Sequence, residues 1–238
     1  MVIAAMKTIK KKSLLIDWSP IWLTLKLALI STSILLVFGL PLAYWLSKGH
    51  SLFKVVLEAI FTMPLVLPPS VLGFYLLLAF SPQQGLGKWL LQHFNLAFVF
   101  SFEGLVLASV IYSLPFMISP IKSALQQLPP SLAHASFTMG KSAWQTFLYV
   151  LLPNIRASLL TASVMTFAHT LGEFGVVLMI GGNIPGITRV ASIAIYNSVE
   201  NMDYHTANIY SLVLVSLTFV LVVAVFIINK YESKNLPR

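Results

Sequence analysis

Five apolar blocks, each near the length of one bilayer crossing, constrain this chain more than any other feature. They run over residues 21–46, 53–80, 104–121, 157–180 and 209–228, and a helix needs about 20 apolar residues to cross the hydrocarbon. No water reaches that depth to satisfy backbone N–H and C=O groups, so each block must fold as a helix. The expected fold is therefore all-α, a polytopic membrane protein whose single domain covers residues 1–238. Composition agrees: 58% of the 238 residues are hydrophobic, 9% are charged, and mean hydropathy is +0.87. A water-soluble domain of this size does not reach such values.

The net charge of +8 and isoelectric point near 9.7 do not point to nucleic acid. The fifteen Lys and Arg residues are scattered around the apolar blocks, with no patch in which basic and aromatic residues alternate. They read as topology signals, since cytoplasmic loops retain Lys and Arg. An orientation with Lys48, Lys54, Lys122, Lys141, Arg156, Lys230, Lys234 and Arg238 inside leaves only Lys88 and Arg189 in outer loops. It puts the C-terminus in the cytoplasm. It also puts Lys7, Lys10, Lys11 and Lys12 outside, against the rule. Those lysines resemble the start of a signal peptide, but residues 13–16 are too short for its apolar core. With no cysteine, disulfides and thiolate metal sites are excluded.

Between the third and fourth blocks lies a mildly polar stretch, residues 129–153, that reads as helix, glycine break, helix. Pro129 and Pro130 stop what precedes, Ser131 is placed to cap a new helix, and Gly140 stands where a helix ends in a left-handed residue. Ser142 caps the second helix, apolar over most of its girth through Ala143, Trp144, Phe147, Leu148, Val150 and Leu151, and Pro153 closes it. Such a knob suits a socket on a soluble partner; a simple amphipathic loop is the alternative.

The second block contains MPLVLPPSVLGF. Pro64, Pro68 and Pro69 lack an amide hydrogen, so a continuous helix is not expected to run through them, and broken backbone at membrane depth is tolerated only in protein or beside a watery cavity. Leu67, Pro68, Pro69, Ser70 and Val71 are the expected path wall or gate, unless the prolines only improve packing. In the outer loops, Trp89, Leu90, Leu91 and Phe94 form a short amphipathic piece, and residues 192–199 a short helix lying flat or dipping back. Glu173 is the only acidic residue well inside a block, one helical turn beyond His169. An ionised carboxylate there costs about 2.5 to 3.5 kcal/mol on insertion scales, so Glu173 is expected to point into protein and to be neutralised by His169, by a basic residue of the outer loops, or by a retained proton.

The knob carries a resemblance to a known family. Its spacing is similar to the coupling motif of the permeases of ATP-binding-cassette importers: His134, Ala135 and Ser136 stand at the Glu-Ala-Ala triplet, Gly140 at the glycine, and Val150, Leu152 and Pro153 at the apolar-Leu-Pro ending. His134 replaces the glutamate and Ser136 the second alanine. The run LGEFG at 171–175 and GGNIPGITR at 181–189 look like the same region of molybdate permeases and, less closely, of sulfate permeases. The resemblance implies a subunit in the bacterial inner membrane that moves an oxyanion, molybdate first, from an extracytoplasmic binding protein, driven by a cytoplasmic ATPase seated on the knob. Five spans enclose little room for a path, so a second copy across a two-fold axis is expected as well as lipid.

No catalytic residue is expected. The chain has no Walker-type phosphate loop, no H-E-x-x-H and no G-x-S-x-G, and His169 with Glu173 makes only half a metal site. No cofactor or metal follows from the sequence. The rival reading is a secondary transporter or channel, which also breaks helices at membrane depth, though no internal repeat supports it.

Overall fold

The computed structural model of the chain describes residues 16–49 and 51–235; Lys7, Lys10, Lys11, Lys12 and Arg238 lie outside these. All regular structure among the described residues is helical. In chain order the helices are α1 (Ser19–Ser47), α2 (Leu52–Val66), α3 (Pro69–Ala79), α4 (Gly85–Phe94), α5 (Phe102–Gln127) and α6 (Pro130–Thr138). After α7 (Ala143–Thr146) come a π-helical turn (Phe147–Leu151), α8 (Leu152–Asn154), α9 (Arg156–Leu171), α10 (Gly175–Gly181), α11 (Ala191–Glu200) and α12 (Tyr204–Asn235). Among the described residues three helices are long and apolar enough to cross a membrane alone: α1, α5 and α12 over Tyr204–Lys230. Two bent pairs, α2 with α3 at 115° and Ala143–Asn154 with α9 at 80°, raise the number to five if each counts as one span.

Helices α1 and α5 form the spine. Leu35, Ala43 and Leu46 pack on Met117, Ile118, Ile121 and Leu125, and Phe147 and Ala162 complete this cluster at one end. At the other end Leu27, Leu105 and Ala108 enclose Val176, Val177 and Ile180 of α10 and Ile193 of α11. The long helix α12 crosses the same height. Tyr210 Oη donates to Asp17 C=O at 2.6 Å near its start, and Asn229 Nδ2 donates to Thr161 Oγ1 at 2.8 Å near its end. Asp17 therefore lies at the end of the bundle opposite the knob. Lys26, two turns into α1 from that end, reaches over the Phe102 ring at 4.6 Å, as a snorkelling lysine should.

Several helix boundaries differ from the sequence expectations; α12, for one, extends beyond 209–228 at both ends. Helix α5 runs six residues beyond 104–121 to Gln127 with Pro115 and Pro120 inside it, each removing one backbone bond without ending the helix. Pro64 is likewise inside α2, and the break falls at Leu67 and Pro68. The residue before a proline is driven to extended backbone; Leu67 precedes Pro68, Pro68 precedes Pro69, and their ψ angles are 139° and 133°. The block 157–180 is two helices, since α9 stops at Leu171 and α10 begins at Gly175. Pro153 does not close its helix: the preceding turn widens to π, with Leu152 N–H donating to Phe147 C=O, and the bend comes at Ile155. A wider turn relieves the clash between a proline ring and the carbonyl four residues back.

The two short helices that follow the breaks, α3 and α10, lie directly against each other because of two glycines. A Cβ on Gly175 would stand 2.8 Å from Pro69 Cβ, and a Cβ on Gly73 would stand 2.7 Å from Met179 Cβ and 3.0 Å from Val176 Cα. Gly73→Ala should therefore lower stability by about 1 to 3 kcal/mol, the usual range for overpacking. Gly172→Ala should be nearly neutral, since its Cβ would meet only His169 C=O at 3.8 Å. Thermal unfolding of the two variants in detergent checks the contrast.

Candidate functional site

The α2/α3 break and the α9/α10 break open on one cavity of about 610 Å³, lined by Pro69 and Ser70 from the start of α3, by Tyr112 of α5, and by Ala168, His169, Gly172, Glu173, Phe174 and Gly175. Two groups of residues singled out in the sequence thus meet: Pro69 and Ser70 with His169 and Glu173. Leu67, Pro68 and Val71 flank the same break without lining the cavity. Ser70 and Pro69 are exposed, so the cavity is open on the side of α3.

Glu173 sits in the turn between α9 and α10, not along a continuous helix, and is 4% exposed. Its partner is not His169. Ser109 Oγ of α5 donates to Glu173 Oε2 at 2.6 Å, while Glu173 Oε1 and His169 Nε2 have no hydrogen-bond partner. The imidazole is held instead by rings, stacked on Phe116 at 4.0 Å and tilted against Tyr112 at 4.9 Å. One turn along α5, Ser113 Oγ pairs with Thr170 Oγ1 at 3.0 Å, so two serines four residues apart fasten α5 to α9 and its terminal turn. The sequence reading passed over Ser109 and Ser113; their i, i+4 spacing within an apolar block was the available signal.

The knob is built on its glycine. Gly140 has φ +77°, Lys141 N–H donates to Ser136 C=O at 3.2 Å and Gly140 N–H to Phe137 C=O at 2.9 Å, the paired bonds of a left-handed helix ending. Pro129, not Ser131, occupies the cap position of α6, with Pro130 as its first residue. Ser142 caps α7 through a reciprocal pair: its Oγ accepts from Gln145 N–H at 3.2 Å, and its own N–H donates to Gln145 Oε1 at 3.0 Å. Ser136 is buried and its hydroxyl pairs with buried Thr146 at 2.9 Å, which locks α6 onto α7. The root is Phe147, fully buried, with Tyr44 of α1 at 4.3 Å between ring centroids and Tyr44 Oη donating to Ala143 C=O at 3.3 Å. His134, Ala135, Phe137, Met139 and Gly140 remain exposed on the free face, whereas Val150 and Leu152 are half-buried and Pro153 exposed in the root.

Replacing Glu173 separates shape from charge. Glu173→Gln should keep the amount of folded protein, because the amide oxygen still accepts from Ser109. Glu173→Leu should lower it, with stability reduced by about 1 to 3 kcal/mol, since the Ser109 hydroxyl is then left unpaired in the interior. Size-exclusion yield and thermal unfolding of both variants check this.

Comparison with known proteins places these features in a family. The model of the binding-protein-dependent transport system inner membrane component matches residues 35–236. The molybdenum transport system permease protein ModB of Azotobacter vinelandii is 41% identical over 218 residues, covering 91% of this chain and 96% of that protein. The probable sulfate transport system permease protein cysT of Marchantia polymorpha is 35% identical over 205 residues, 86% of this chain and 70% of that one. Among solved structures, the inward-facing MetNI methionine transporter superposes with a TM-score of 0.67 at 19% identity, over 89% of this chain and 94% of its own. A bacterial alginate transporter in complex with an alginate-bound periplasmic protein gives 0.67 at 18% identity, over 87% and 77%. The chain belongs to the binding-protein-dependent inner membrane components, as a non-catalytic permease subunit of an ATP-binding-cassette importer.

Proposed function

We propose that two copies of this chain form the path of an oxyanion importer, with molybdate as the preferred substrate, fed by an extracytoplasmic binding protein and driven by a cytoplasmic ATPase. The observation that carries the reading is the meeting of the α2/α3 break and the α9/α10 break at one open cavity. Helix α3 starts at that cavity with Pro69 and Ser70, and the positive end of a helix dipole favours an anion. Molybdate is taken from the likeness to ModB over nearly the whole length of both chains. The residues 67–71 then act as the gate, and a wall from the second copy closes the open side. Only Pro64 of α2 is buried within one chain, and Leu52, Phe53, Val56, Ile60, Met63 and Val66 are all more than half or half exposed, an apolar face available to lipid and to that copy.

The knob is the seat for the ATPase. Phe137 and Met139 stand exposed beside Gly140 at 44% and 78%, an apolar tip that suits a groove on a soluble partner. On this reading the knob and the C-terminal end of α12 lie in the cytoplasm and Asp17, α4 and α11 outside. A cysteine at Ser142 should then be shielded from impermeant thiol reagents in intact cells, and one at Asn183 should label.

Uptake of molybdate, tungstate and sulfate, each with and without the binding protein and the ATPase, tests the assignment. Molybdate uptake should require both partners and exceed sulfate uptake. Gly140→Val should insert normally yet lose transport, because a β-branched residue at φ +77° is strained by about 1 to 2 kcal/mol. Uptake without ATP would instead mark a secondary transporter or channel, and transport at the normal rate in Gly140→Val would remove the knob from coupling.

A further inference from the structure

Helix α11 is pinned by hydrogen bonds at its first turn, while its far half packs on α12 along one side and is exposed on the other. Ala191 N–H donates to Thr24 Oγ1 of α1 at 2.7 Å, and Ser192 Oγ donates to Glu173 C=O at 2.6 Å. Ala191, Ile193 and Ala194 are buried, whereas Tyr196, Val199 and, just past the helix, Met202 are exposed at 44%, 44% and 79%. The far half of the helix thus presents a surface while its first turn is wedged into the bundle.

What Ser192 holds is the turn between the two half-helices. Glu173 C=O lies before the first backbone acceptor of α10, since Leu178 N–H donates to Phe174 C=O at 2.9 Å, so this carbonyl at membrane depth is satisfied from α11. The carboxyl of the same residue is held by Ser109 of α5. Two residues on, Gly175 lies against Pro69 and Ser70 with no room for a side chain. A displacement of α11 therefore has a short route to the wall of the cavity: Ser192, the Glu173 carbonyl, Gly175, Pro69. The Ser109 bond supplies a fixed point against which that turn can pivot.

We propose that Ser192 is a positioning residue of this permease, carrying movement of the outer-face helix α11 on binding-protein docking to the turn at Glu173 and so to the first residues of α3. This rests on the importer reading above. Ser192 lines no part of the cavity, and its role is separable from the path itself.

The test uses the permease assembled with its ATPase in lipid nanodiscs, as wild type, Ser192→Ala and Ser192→Thr. Ser192→Ala should leave basal ATP hydrolysis by the partner chain unchanged, while the increment evoked by molybdate-loaded binding protein falls about fivefold, the equivalent of one ordinary hydrogen bond. Ser192→Thr keeps the hydroxyl and should restore most of it. Equal loss of basal and stimulated rates, failure of the threonine variant to rescue, or full stimulation of Ser192→Ala would each overturn the proposal. Maleimide labelling of Val71→Cys, performed without binding protein, separates this from the importer reading. Its rate should change about fivefold with Ser192→Ala. An unchanged rate sinks the coupling through Ser192 even where transport is confirmed; a changed rate in a permease that no binding protein stimulates overturns the importer reading and the docking role of Ser192 with it, and leaves only the link from Ser192 to α3.

Discussion

The structure depends on the contact between α3 and α10, the two short helices that begin after breaks in the chain. Broken backbone inside a bilayer survives only where protein covers it, and here each break is covered by the helix that follows the other. Gly73 and Gly175 make this possible, for a single methyl group at either position would overlap its neighbour across the contact. Prolines create the first break by forbidding helical backbone at Leu67 and Pro68. The second has no proline. It is defined by Gly172 and Gly175 around Glu173, and held from three sides through Ser109, Ser192 and Pro69. The cavity is the space left where the two turns face each other.

The knob follows a different rule. It is small, so its shape comes from capping bonds and one aromatic root in place of extended burial. The left-handed Gly140 reverses the chain, the Ser142 and Gln145 pair starts the next helix, and the Ser136 and Thr146 hydroxyls tie the two together. Phe147 between Tyr44 and Trp144 fixes the knob to the end of α1. The knob is thereby joined to the spine of the bundle, whose far end carries α11 and the Glu173 turn.

The helical fold, the knob with its glycine and the prolines at the cavity were legible in the sequence because each depends on a local rule: length against bilayer thickness, a left-handed cap, a missing amide hydrogen. The split of the block 157–180 was not legible, since LGEFG contains no proline and Gly175 meets its close neighbour, Pro69, only in the folded chain. Of the neutralising partners expected for Glu173, His169 is set aside for the same reason. His169 is one turn away in sequence, but aromatic rings claim its imidazole, and Ser109 comes from a helix 64 residues earlier. Ser136, which departs from the family pattern, acquires its meaning only beside Thr146. Local signals place breaks and caps; tertiary contacts decide what fills them.

The central claim is that the break at Leu67 to Val71 is a moving wall between two copies and not a static kink. Disulfide trapping of Ser70→Cys in the assembled transporter tests it most directly, comparing the nucleotide-free complex with one held by ATP in a hydrolysis-deficient ATPase. The account predicts crosslinking between the two permease copies in one of these states and little in the other. Equal crosslinking in both, or none in either while transport is intact, would contradict it.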